Sequence, residues 1–271
     1  LWPEVAVTAS SEVTKEWREY ERTSTAVLNS YVMPVASRYI DKLETRLKEM
    51  GMESKKYIMQ SNGGTTTFDQ AKVTPINIVE SGPVAGVFGS AVLGKMVGEE
   101  NIISFDIGGT TAKCSLVDKG EVKVSTEYKI EKTERTAGYP IKVPVVDIVE
   151  IGNGGGSIAW IDGGGSLRVG PQSAGALPGP VAYGKGGTEP TTTDACLLTG
   201  RLSAKNFDNE VDLASVKKAV EEKIAQKLGL SIDEAALGII RIADSNMLNA
   251  LKLISVRKGY DPREFSMVAF G

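Results

Sequence analysis

The sequence predicts an α/β or α+β fold, and three features of its pattern indicate this class. Short apolar strands separated by glycine turns occupy the middle of the chain, amphipathic helices fill most of the last third, and an apolar strand follows them. With 271 residues, the chain has room for one or two domains. Hydrophobic residues make up 41% of it, which is enough to form a core.

The N-terminal part is predicted to be mainly helical. Apolar side chains recur near helical spacing between residues 13 and 50, with Pro34 as a potential kink. A short strand is expected over Tyr57–Gln60. An apolar helix is expected over Val84–Val97 and should end at Gly98, because glycine accepts the left-handed backbone found at helix C-termini.

Strands dominate the middle of the chain. The segments Ile102–Ile107, Ala112–Val117 and Glu121–Tyr128 are rich in strand-forming residues and are separated by tight turns, so they predict a three-stranded meander. Further strands are expected over Val143–Ile151 and Ser157–Ile161, around the glycine clusters.

Helices return in the last third. One helix is predicted to end at Gly229. Ser231 and Glu234 then have the spacing of a capping box, in which each side chain accepts a hydrogen bond from the other residue's backbone N–H. The helix that this box opens is expected to run to Lys258, with Gly259 just after its end.

The charge and residue counts exclude several classes of function. Lys and Arg number 31 and Asp and Glu 34, so the net charge is −3 and the composition gives no basic footprint for nucleic acid or for a membrane surface. No apolar run approaches the roughly 18 residues that a membrane-spanning helix needs. The chain has no histidine, which excludes a Ser-His-Asp triad, a histidine base and any histidine-containing metal site within it.

The cysteines point to a reducing compartment. Cys114 and Cys196 are far apart and form no CxxC pattern, which argues against a zinc ribbon and a disulfide framework. We therefore expect a cytoplasmic protein. A metal bound here should be a hard cation on oxygen ligands, such as Mg²⁺.

Glycine is in excess. The chain has 30 glycines, and thirteen of them fall between Ile151 and Gly187. They are interspersed with strand-forming residues, so this region is predicted to be a Gly-rich β segment and not a flexible linker.

The strongest chemical signal follows the strand Ile102–Ile107. That strand delivers a carboxylate to its end, and glycine, threonine and lysine residues come directly after it. Glycine amides can approach phosphate oxygens, hydroxyls can add hydrogen bonds, and the carboxylate can hold Mg²⁺ or orient a nucleophile. The alternative is a plain β-hairpin turn. The candidate residues are Asp106, Gly108, Gly109, Thr110, Thr111 and Lys113.

A second glycine run lies between two apolar strands. It suits a phosphate loop or a place where two backbones cross, and a wide turn or bulge is the alternative. The candidate residues are Gly154, Gly155, Gly156 and Ser157.

Other candidates are weaker. Ser81 and Gly82 precede an apolar helix, where they either present amides to an anion or form a plain N-cap. Asp147 and Asp194 join Asp106 as candidate metal ligands, although Asp194 also suits an N-cap motif.

One phosphate-binding motif is a false match. Gly89–Lys95 spells GxxxxGK, but Met96 replaces the Ser or Thr that would bind Mg²⁺, and the segment is predicted to lie inside a helix. We therefore reject a P-loop there.

A series of short motifs gives the chain a family resemblance. In order along the chain they are Arg18–Thr25, Met59–Gly64, Glu80–Pro83, Phe105–Thr110, Gly154–Trp160, Val169–Ala176, Pro178–Pro180, Thr193–Ala195, Gly259–Arg263 and Ala269–Gly271. With these motifs the chain resembles the hydantoinase A/oxoprolinase family, which includes ATP-dependent N-methylhydantoinase, 5-oxoprolinase and the acetone carboxylase β subunit. The resemblance covers nearly the whole length.

The resemblance implies an actin-like, sugar-kinase-like ATPase fold. Two ribonuclease-H-like halves, each with a mixed sheet and flanking helices, would hold a nucleotide between them. Residues 1–99 would complete the first half, and residues 100–271 would form most of the second, with a Gly-rich β insertion at 151–187. Asp106–Thr111 would then be the phosphate loop of the second half, and Phe270–Gly271 would begin a glycine turn near the adenosine.

The resemblance also implies that the chain is a fragment. An earlier Asp-x-Gly-Gly-Thr loop normally lies in an N-terminal region that these 271 residues lack, and the chain begins at Leu1. We therefore expect these residues alone to be inactive. The missing N-terminal half and a large hydantoinase B-type subunit are the expected protein partners.

The implied activity is the ATP-dependent hydrolysis of a small cyclic amide of the hydantoin or 5-oxoproline type, through phosphorylation of its carbonyl oxygen. ATP and Mg²⁺ are the implied cofactors, with Asp106 as the catalytic residue. Two alternatives remain: an acetone carboxylase-like β subunit that acts on a ketone with bicarbonate, and a non-catalytic nucleotide-binding module on an actin-like scaffold.

The chain departs from the family at three positions. Family members often carry histidine near positions 139, 149 and 260, where this chain has Tyr139, Val149 and Tyr260. If a metal site or proton relay of the family uses those histidines, this chain does it differently or not at all.

Overall fold

The computed structural model describes residues 5–130, 136–207 and 210–271. The chain divides into two compact units, which are described separately. The first unit comprises Leu1–Glu100 and Val117–Asp147, and the second comprises Asn101–Leu116 and Ile148–Gly271.

The segment 117–147 groups with the N-terminal hundred residues, although it follows the first strands of the second unit. A simple cut between residues 99 and 100 therefore does not describe the compact units. The assignment of 1–99 and 100–271 to the two halves of a larger ATPase stays a prediction.

Helices and strands are mixed along the chain. The α-helices of the described residues are α1 (Ser10–Val13), α2 (Glu19–Glu49), α3 (Phe68–Val73), α4 (Ser81–Val97), α5 (Thr192–Leu198), α6 (Leu213–Val220), α7 (Gln226–Leu228) and α8 (Ile232–Ile254). A π-helical turn, Glu221–Ala225, joins α6 to α7. Among the described residues, no helix combines the length and the apolar character needed to cross a bilayer.

The strands are short. They are β1 (Tyr57–Met59), β2 (Thr65–Thr67), β3 (Ile102–Ile107), β4 (Ala112–Asp118), β5 (Glu121–Val122), β6 (Val124–Ser125), β7 (Tyr128–Ile130), β8 (Tyr139–Ile141), β9 (Val145–Val146), β10 (Val149–Ile151), β11 (Ser157–Ile161), β12 (Leu167–Ser173) and β13 (Ser266–Phe270). The predicted strands Ile102–Ile107 and Ser157–Ile161 are confirmed.

The first unit is organised by α2, whose 31 residues continue through Pro34. The buried side chain of Ile40 packs with Phe68 and Ala71 of α3. The helix α4 ends at Gly98, which has a φ of 82°. Both the helix and its glycine stop were predicted, and the GxxxxGK sequence lies inside this helix.

The second unit contains a mixed sheet in the order β10-β4-β3-β13. Strand β10 is antiparallel to β4, whereas β13 is parallel to β3. The hairpin of β11 and β12 forms a separate antiparallel pair within the predicted Gly-rich region. The expected mixed α/β fold is confirmed.

The helix α8 connects these two β structures. Its C-terminal residues Ala250 and Ile254 pack with Phe105 of β3 in one core. Its N-terminal half packs Ile239 and Ala243 in a second core, together with residues of the hairpin and of α5. The predicted capping box at its start is present, because Ser231 and Glu234 exchange hydrogen bonds with each other's backbone.

Two predicted strands are wrong in extent. Glu121–Tyr128 is not one strand, because β5 ends at Val122 and the next residues leave β4 to pair with β9. Val143–Ile151 is likewise broken at Asp147, whose N–H donates to the Lys123 carbonyl oxygen at 2.9 Å.

The predicted end of α8 is also wrong. The helix stops at Ile254 and not at Lys258. The hydroxyl of the buried Ser255 donates to the Leu251 carbonyl oxygen at 2.6 Å, and the backbone of Ser255 leaves the helical region. A short 3-10 turn then leads to Gly259.

Candidate functional site

The candidate site begins with Asp106, near the end of β3. This half-buried residue pairs in register with Phe270 of the parallel strand β13. Among the described residues, its carboxylate has no hydrogen-bond or ion-pair partner. A Cβ atom at Gly271 would lie 2.7 Å from Oδ1 of Asp106, so the backbone of β13 approaches the carboxylate more closely than a residue with a side chain could.

A tight turn follows β3. The N–H of Gly108 donates to the Thr111 carbonyl oxygen at 3.0 Å, which closes the turn. In the described part of the chain, the N–H groups of Gly109, Thr110 and Thr111 have no acceptor, and Gly109 and Thr110 are exposed. Consecutive free N–H groups in a turn form a concavity that binds anions. Gly108 differs from its neighbours because its N–H is used within the turn.

Lys113 supports this turn from β4. Its Nζ lies 2.9 Å from Oε1 of Glu150 and 3.0 Å from Oγ1 of Thr111. Glu150 is its register partner on β10. The ammonium group therefore already has a carboxylate partner, and it orients the Thr111 hydroxyl at the edge of the turn.

The glycine run 154–156 lies directly against the turn. The N–H of Gly155 donates to the Gly108 carbonyl oxygen at 3.0 Å, and the N–H of Gly156 donates to the Gly109 carbonyl oxygen at 2.6 Å. A Cβ atom at Gly154 would lie 2.5 Å from the Gly108 oxygen and 2.7 Å from the Thr110 nitrogen. Real Cβ atoms essentially never come so close, so two backbones cross here and only glycine fits.

The N–H groups of the second glycine run are bonded within the protein, and the phosphate contact predicted for Gly154, Gly155, Gly156 and Ser157 stays a prediction. The N–H of Gly154 donates to Oγ of Ser157 at 2.8 Å, and the other two glycine N–H groups bond the turn. Ser157 is completely buried. The segment is therefore a place where two backbones cross. Its N–H groups bond the carbonyl oxygens of Gly108 and Gly109 and so support the turn after β3.

Asp194 bonds backbone N–H groups around the start of α5. Its carboxylate is completely buried and accepts hydrogen bonds from the N–H groups of Val181, Ala182 and Thr191 and from the Thr191 hydroxyl. Burial raises the pKa of this carboxyl, while the hydrogen bonds oppose the rise. Both oxygens are occupied by donors, so the capping alternative describes Asp194 and the geometry does not support a metal role.

Two supporting residues were not among the predicted site residues. The N–H and hydroxyl of Thr193 both donate to the Gly155 carbonyl oxygen, at 2.7 and 2.8 Å. Oγ of Ser173 lies 3.2 Å from Oγ1 of Thr110. Both residues fall within the motifs that carry the family resemblance, which was the signal available for them.

Three predicted site residues lie in the first unit. Ser81 and Gly82 form the start of α4 after Glu80, whose φ is 57°. Asp147 follows β9, and its N–H is bonded to Lys123. The roles predicted for these three residues stay predictions.

The described residues contain no group of three or more Asp, Glu, Cys or His side chains able to hold a metal ion. Mg²⁺ does not require such a group, since one or two carboxylates together with substrate phosphates commonly hold it. Asp106 beside three free amides fits that pattern.

Comparison with known protein families shows to which family the chain belongs. Residues 22–271 match the family described as hydantoinase/oxoprolinase. The chain belongs to the hydantoinase/oxoprolinase family. The resemblance inferred from the motifs is thereby confirmed.

Several relatives cover nearly all of the chain. It is 37% identical over 272 residues to caprolactamase subunit alpha of Pseudomonas jessenii, covering 99% of the chain and 38% of that subunit. It is 31% identical over 286 residues to 5-oxoprolinase 1 of Arabidopsis thaliana, covering 98% of the chain and 22% of that protein. The chain thus spans well under half the length of these relatives.

Solved structures agree with the fold. A nucleotide-free structure of acetone carboxylase superimposes with a TM-score of 0.86 at 29% identity, over 97% of this chain and 36% of that one. The crystal structure of ATP-dependent caprolactamase gives a TM-score of 0.79. These likenesses are consistent with an actin-like ATPase fold.

Proposed function

We propose that this chain is the part of an ATP-dependent cyclic-amide hydrolase that carries the second phosphate loop. The observation that supports this most directly is the run of three N–H groups, Gly109 to Thr111, beside the carboxylate of Asp106, none of which has a partner among the described residues. Relatives named caprolactamase and 5-oxoprolinase act on rings that contain an amide, so a small lactam or imide is the proposed substrate class.

Each residue has a proposed task. The amides of Gly109, Thr110 and Thr111 bind phosphate oxygens of ATP, and Asp106 is the catalytic residue that holds Mg²⁺ or orients the terminal phosphate. Lys113 positions the Thr111 hydroxyl. ATP would supply the phosphoryl group that activates the ring carbonyl, which makes sense because hydrolysis of an unstrained amide ring has little driving force of its own. Positioning and charge neutralisation account for most catalysis of phosphoryl transfer.

The proposal extends to compartment and partners. Both cysteines are free thiols, which supports a cytoplasmic location. Relatives named as subunits, such as caprolactamase subunit alpha, support a second subunit as partner, for which the large hydantoinase B type is our proposal. The remainder of the parent chain would supply the first phosphate loop.

Carboxylation of a ketone is the second candidate function. The superposition on acetone carboxylase favours it, because it covers 97% of this chain against 99% for caprolactamase. Both reactions would use ATP at the same loop, so the fold alone does not separate them.

The test uses the uninterrupted polypeptide that contains this chain, alone and with any co-purifying large subunit. Phosphate release from Mg-ATP is measured with 5-oxoproline, hydantoin, caprolactam, or acetone plus bicarbonate. We expect one cyclic amide to stimulate release, Asp106→Asn to abolish the stimulation, and the exposed control Asp233→Asn to retain it. Stimulation by acetone and bicarbonate would instead favour the carboxylase, and the absence of ATP binding under every condition would refute both.

A further inference from the structure

Thr193 makes two hydrogen bonds to a single carbonyl group. It lies in the first turn of α5 and is 8% exposed. Its N–H and its hydroxyl donate to the Gly155 carbonyl oxygen at 2.7 and 2.8 Å. A helix leaves the N–H groups of its first turn without partners inside the helix, and the Gly155 carbonyl satisfies this one. Since Ala195 of α5 packs with Ile239 of α8 in one core, Gly155 is attached to a packed helix.

The carbonyl group of Gly155 and the N–H of Gly156 belong to one peptide unit. Such a unit is planar, and in its trans form the C=O and N–H bonds point in opposite directions. The two bonds from Thr193 to the carbonyl therefore also fix the direction of the Gly156 N–H. That N–H donates to the Gly109 carbonyl oxygen at 2.6 Å.

The same relationship recurs in the turn after β3. The carbonyl group of Gly109 and the N–H of Thr110 form the next peptide unit, so the bond from Gly156 fixes the direction of the Thr110 N–H. This N–H has no acceptor among the residues that the structure describes. Two peptide units thus connect Thr193 to an amide of the candidate phosphate site. Hydrogen bonds in such a chain also strengthen one another, because each one polarises the next.

A parallel chain of hydrogen bonds begins at Ser157. Its N–H donates to the Gly154 carbonyl oxygen at 3.1 Å, and its Oγ accepts from the Gly154 N–H at 2.8 Å. The N–H of Gly155, in the same peptide unit as the Gly154 carbonyl, donates to the Gly108 carbonyl oxygen at 3.0 Å. The peptide unit of that oxygen carries the N–H of Gly109. The two chains therefore end on adjacent N–H groups of the turn.

We infer that Thr193 is a positioning residue for phosphate binding at the turn. Its hydroxyl fixes the Gly155–Gly156 peptide unit, and through it the direction of the Thr110 N–H, without contacting the nucleotide. This role rests on the proposed function, because it requires a phosphate at the turn.

The test is calorimetric titration of the uninterrupted polypeptide with Mg²⁺ and the non-hydrolysable ATP analogue AMP-PNP. Thr193→Val replaces the hydroxyl with a methyl group that cannot donate. We expect the affinity for AMP-PNP to fall about fivefold, which corresponds to one neutral hydrogen bond. It should not vanish, because the chain from Ser157 stays intact. Thr193→Ser keeps a hydroxyl and should bind within about twofold of the wild type.

The matched control lies at the other end of the same helix. The hydroxyl of Thr199 donates to the Ala195 carbonyl oxygen at 2.9 Å, and none of its hydrogen bonds leads to the turn. Thr199→Val therefore removes a bond of the same kind and should leave the affinity for AMP-PNP unchanged. Both valine variants should lose a similar amount of stability to urea, so a stability loss alone would weaken binding in both or in neither.

The outcomes separate this inference from the proposed function. If the wild type binds AMP-PNP and Thr193→Val binds it equally well, the positioning role is refuted while the proposed function stands. The same holds if Thr199→Val weakens binding as much, or if Thr193→Ser binds as weakly as Thr193→Val. No binding of AMP-PNP by the wild type would overturn both.

Discussion

The amide nitrogen of Gly156 lies 2.6 Å from the carbonyl oxygen of Gly109, so one glycine segment holds the backbone of another. Gly155 repeats the contact with Gly108, and Thr193 in turn holds Gly155. The turn at the end of β3 is therefore held by its carbonyl groups, while the N–H groups of Gly109, Thr110 and Thr111 have no acceptor within the described ranges.

A methyl group at the crossing should disturb the turn. In Gly154→Ala the new Cβ would meet the backbone of Gly108 and Thr110 at 2.5 and 2.7 Å, so the turn must move. A displacement of about 1 Å at a binding site can cost up to ~10²-fold in rate, and we expect kcat/KM for ATP to fall at least about tenfold. The matched control is Gly163→Ala, where a Cβ has open space. Equal activity of the two variants would contradict the crossing.

Lys113 should affect ATP affinity more than turnover. Lys113→Met removes the hydrogen bond to Oγ1 of Thr111, and one such bond is worth about 1 kcal/mol. We expect KM for ATP to rise about fivefold with little change in kcat. Glu150→Gln, which leaves the Lys113 donor in place, should have a smaller effect. A fall in kcat at constant KM would show that Lys113 contacts the reacting groups directly.

Asp194 should matter for stability. In Asp194→Asn, one of the two acceptor oxygens becomes an NH₂ group that faces backbone donors in a completely buried position. We expect the free energy of unfolding in urea to fall by about 1–3 kcal/mol. The exposed control Asp233→Asn should change it by less than ~0.5 kcal/mol. A stability loss in Asp194→Asn no larger than in the control would refute the structural role.

Cys114 should be inert to thiol reagents in the folded protein. Burial raises the pKa of its thiol to about 12, although the charge of Lys258 opposes the rise. In a Cys196→Ala background, Ellman's reagent at pH 8 should label Cys114 only after unfolding in urea. Because the folded pKa of this thiol lies above that of the unfolded chain, the contribution of Cys114 to stability should be fully present below about pH 9 and be lost as the pH rises towards 12. Rapid labelling without denaturant would contradict the burial.

The sequence predicted the local parts of the site. The strand that ends near Asp106 and the glycine turn after it depend on neighbouring residues, so their pattern was sufficient. The segment that packs against the turn, the glycine run 154–156, is determined by contacts between residues distant in sequence. Three glycines suit a phosphate loop, a bulge or a crossing equally well, and only the hydrogen bonds from Gly155 and Gly156 distinguish them.

The remaining differences have similar causes. The helix α8 ends where the backbone of Ser255 leaves the helical region, four residues before the glycine that the sequence suggests as its stop. The strand after Val122 changes its partner because β9 is available for pairing, and β9 lies farther along the chain. The pairing of Lys113 with Glu150 follows from the register of β10 and β4, which the sequence does not reveal, and the binding role predicted for Lys113 stays a prediction.

The glycine crossing has a thermodynamic consequence for any anion that reaches the turn. A flexible loop must lose conformational entropy when it closes on a ligand, and that loss weakens binding. Here the loss occurs during folding, because Gly155 and Gly156 immobilise the turn before a ligand arrives. The turn is therefore preorganised, and the attraction between its free amides and a phosphate can be expressed almost fully as affinity.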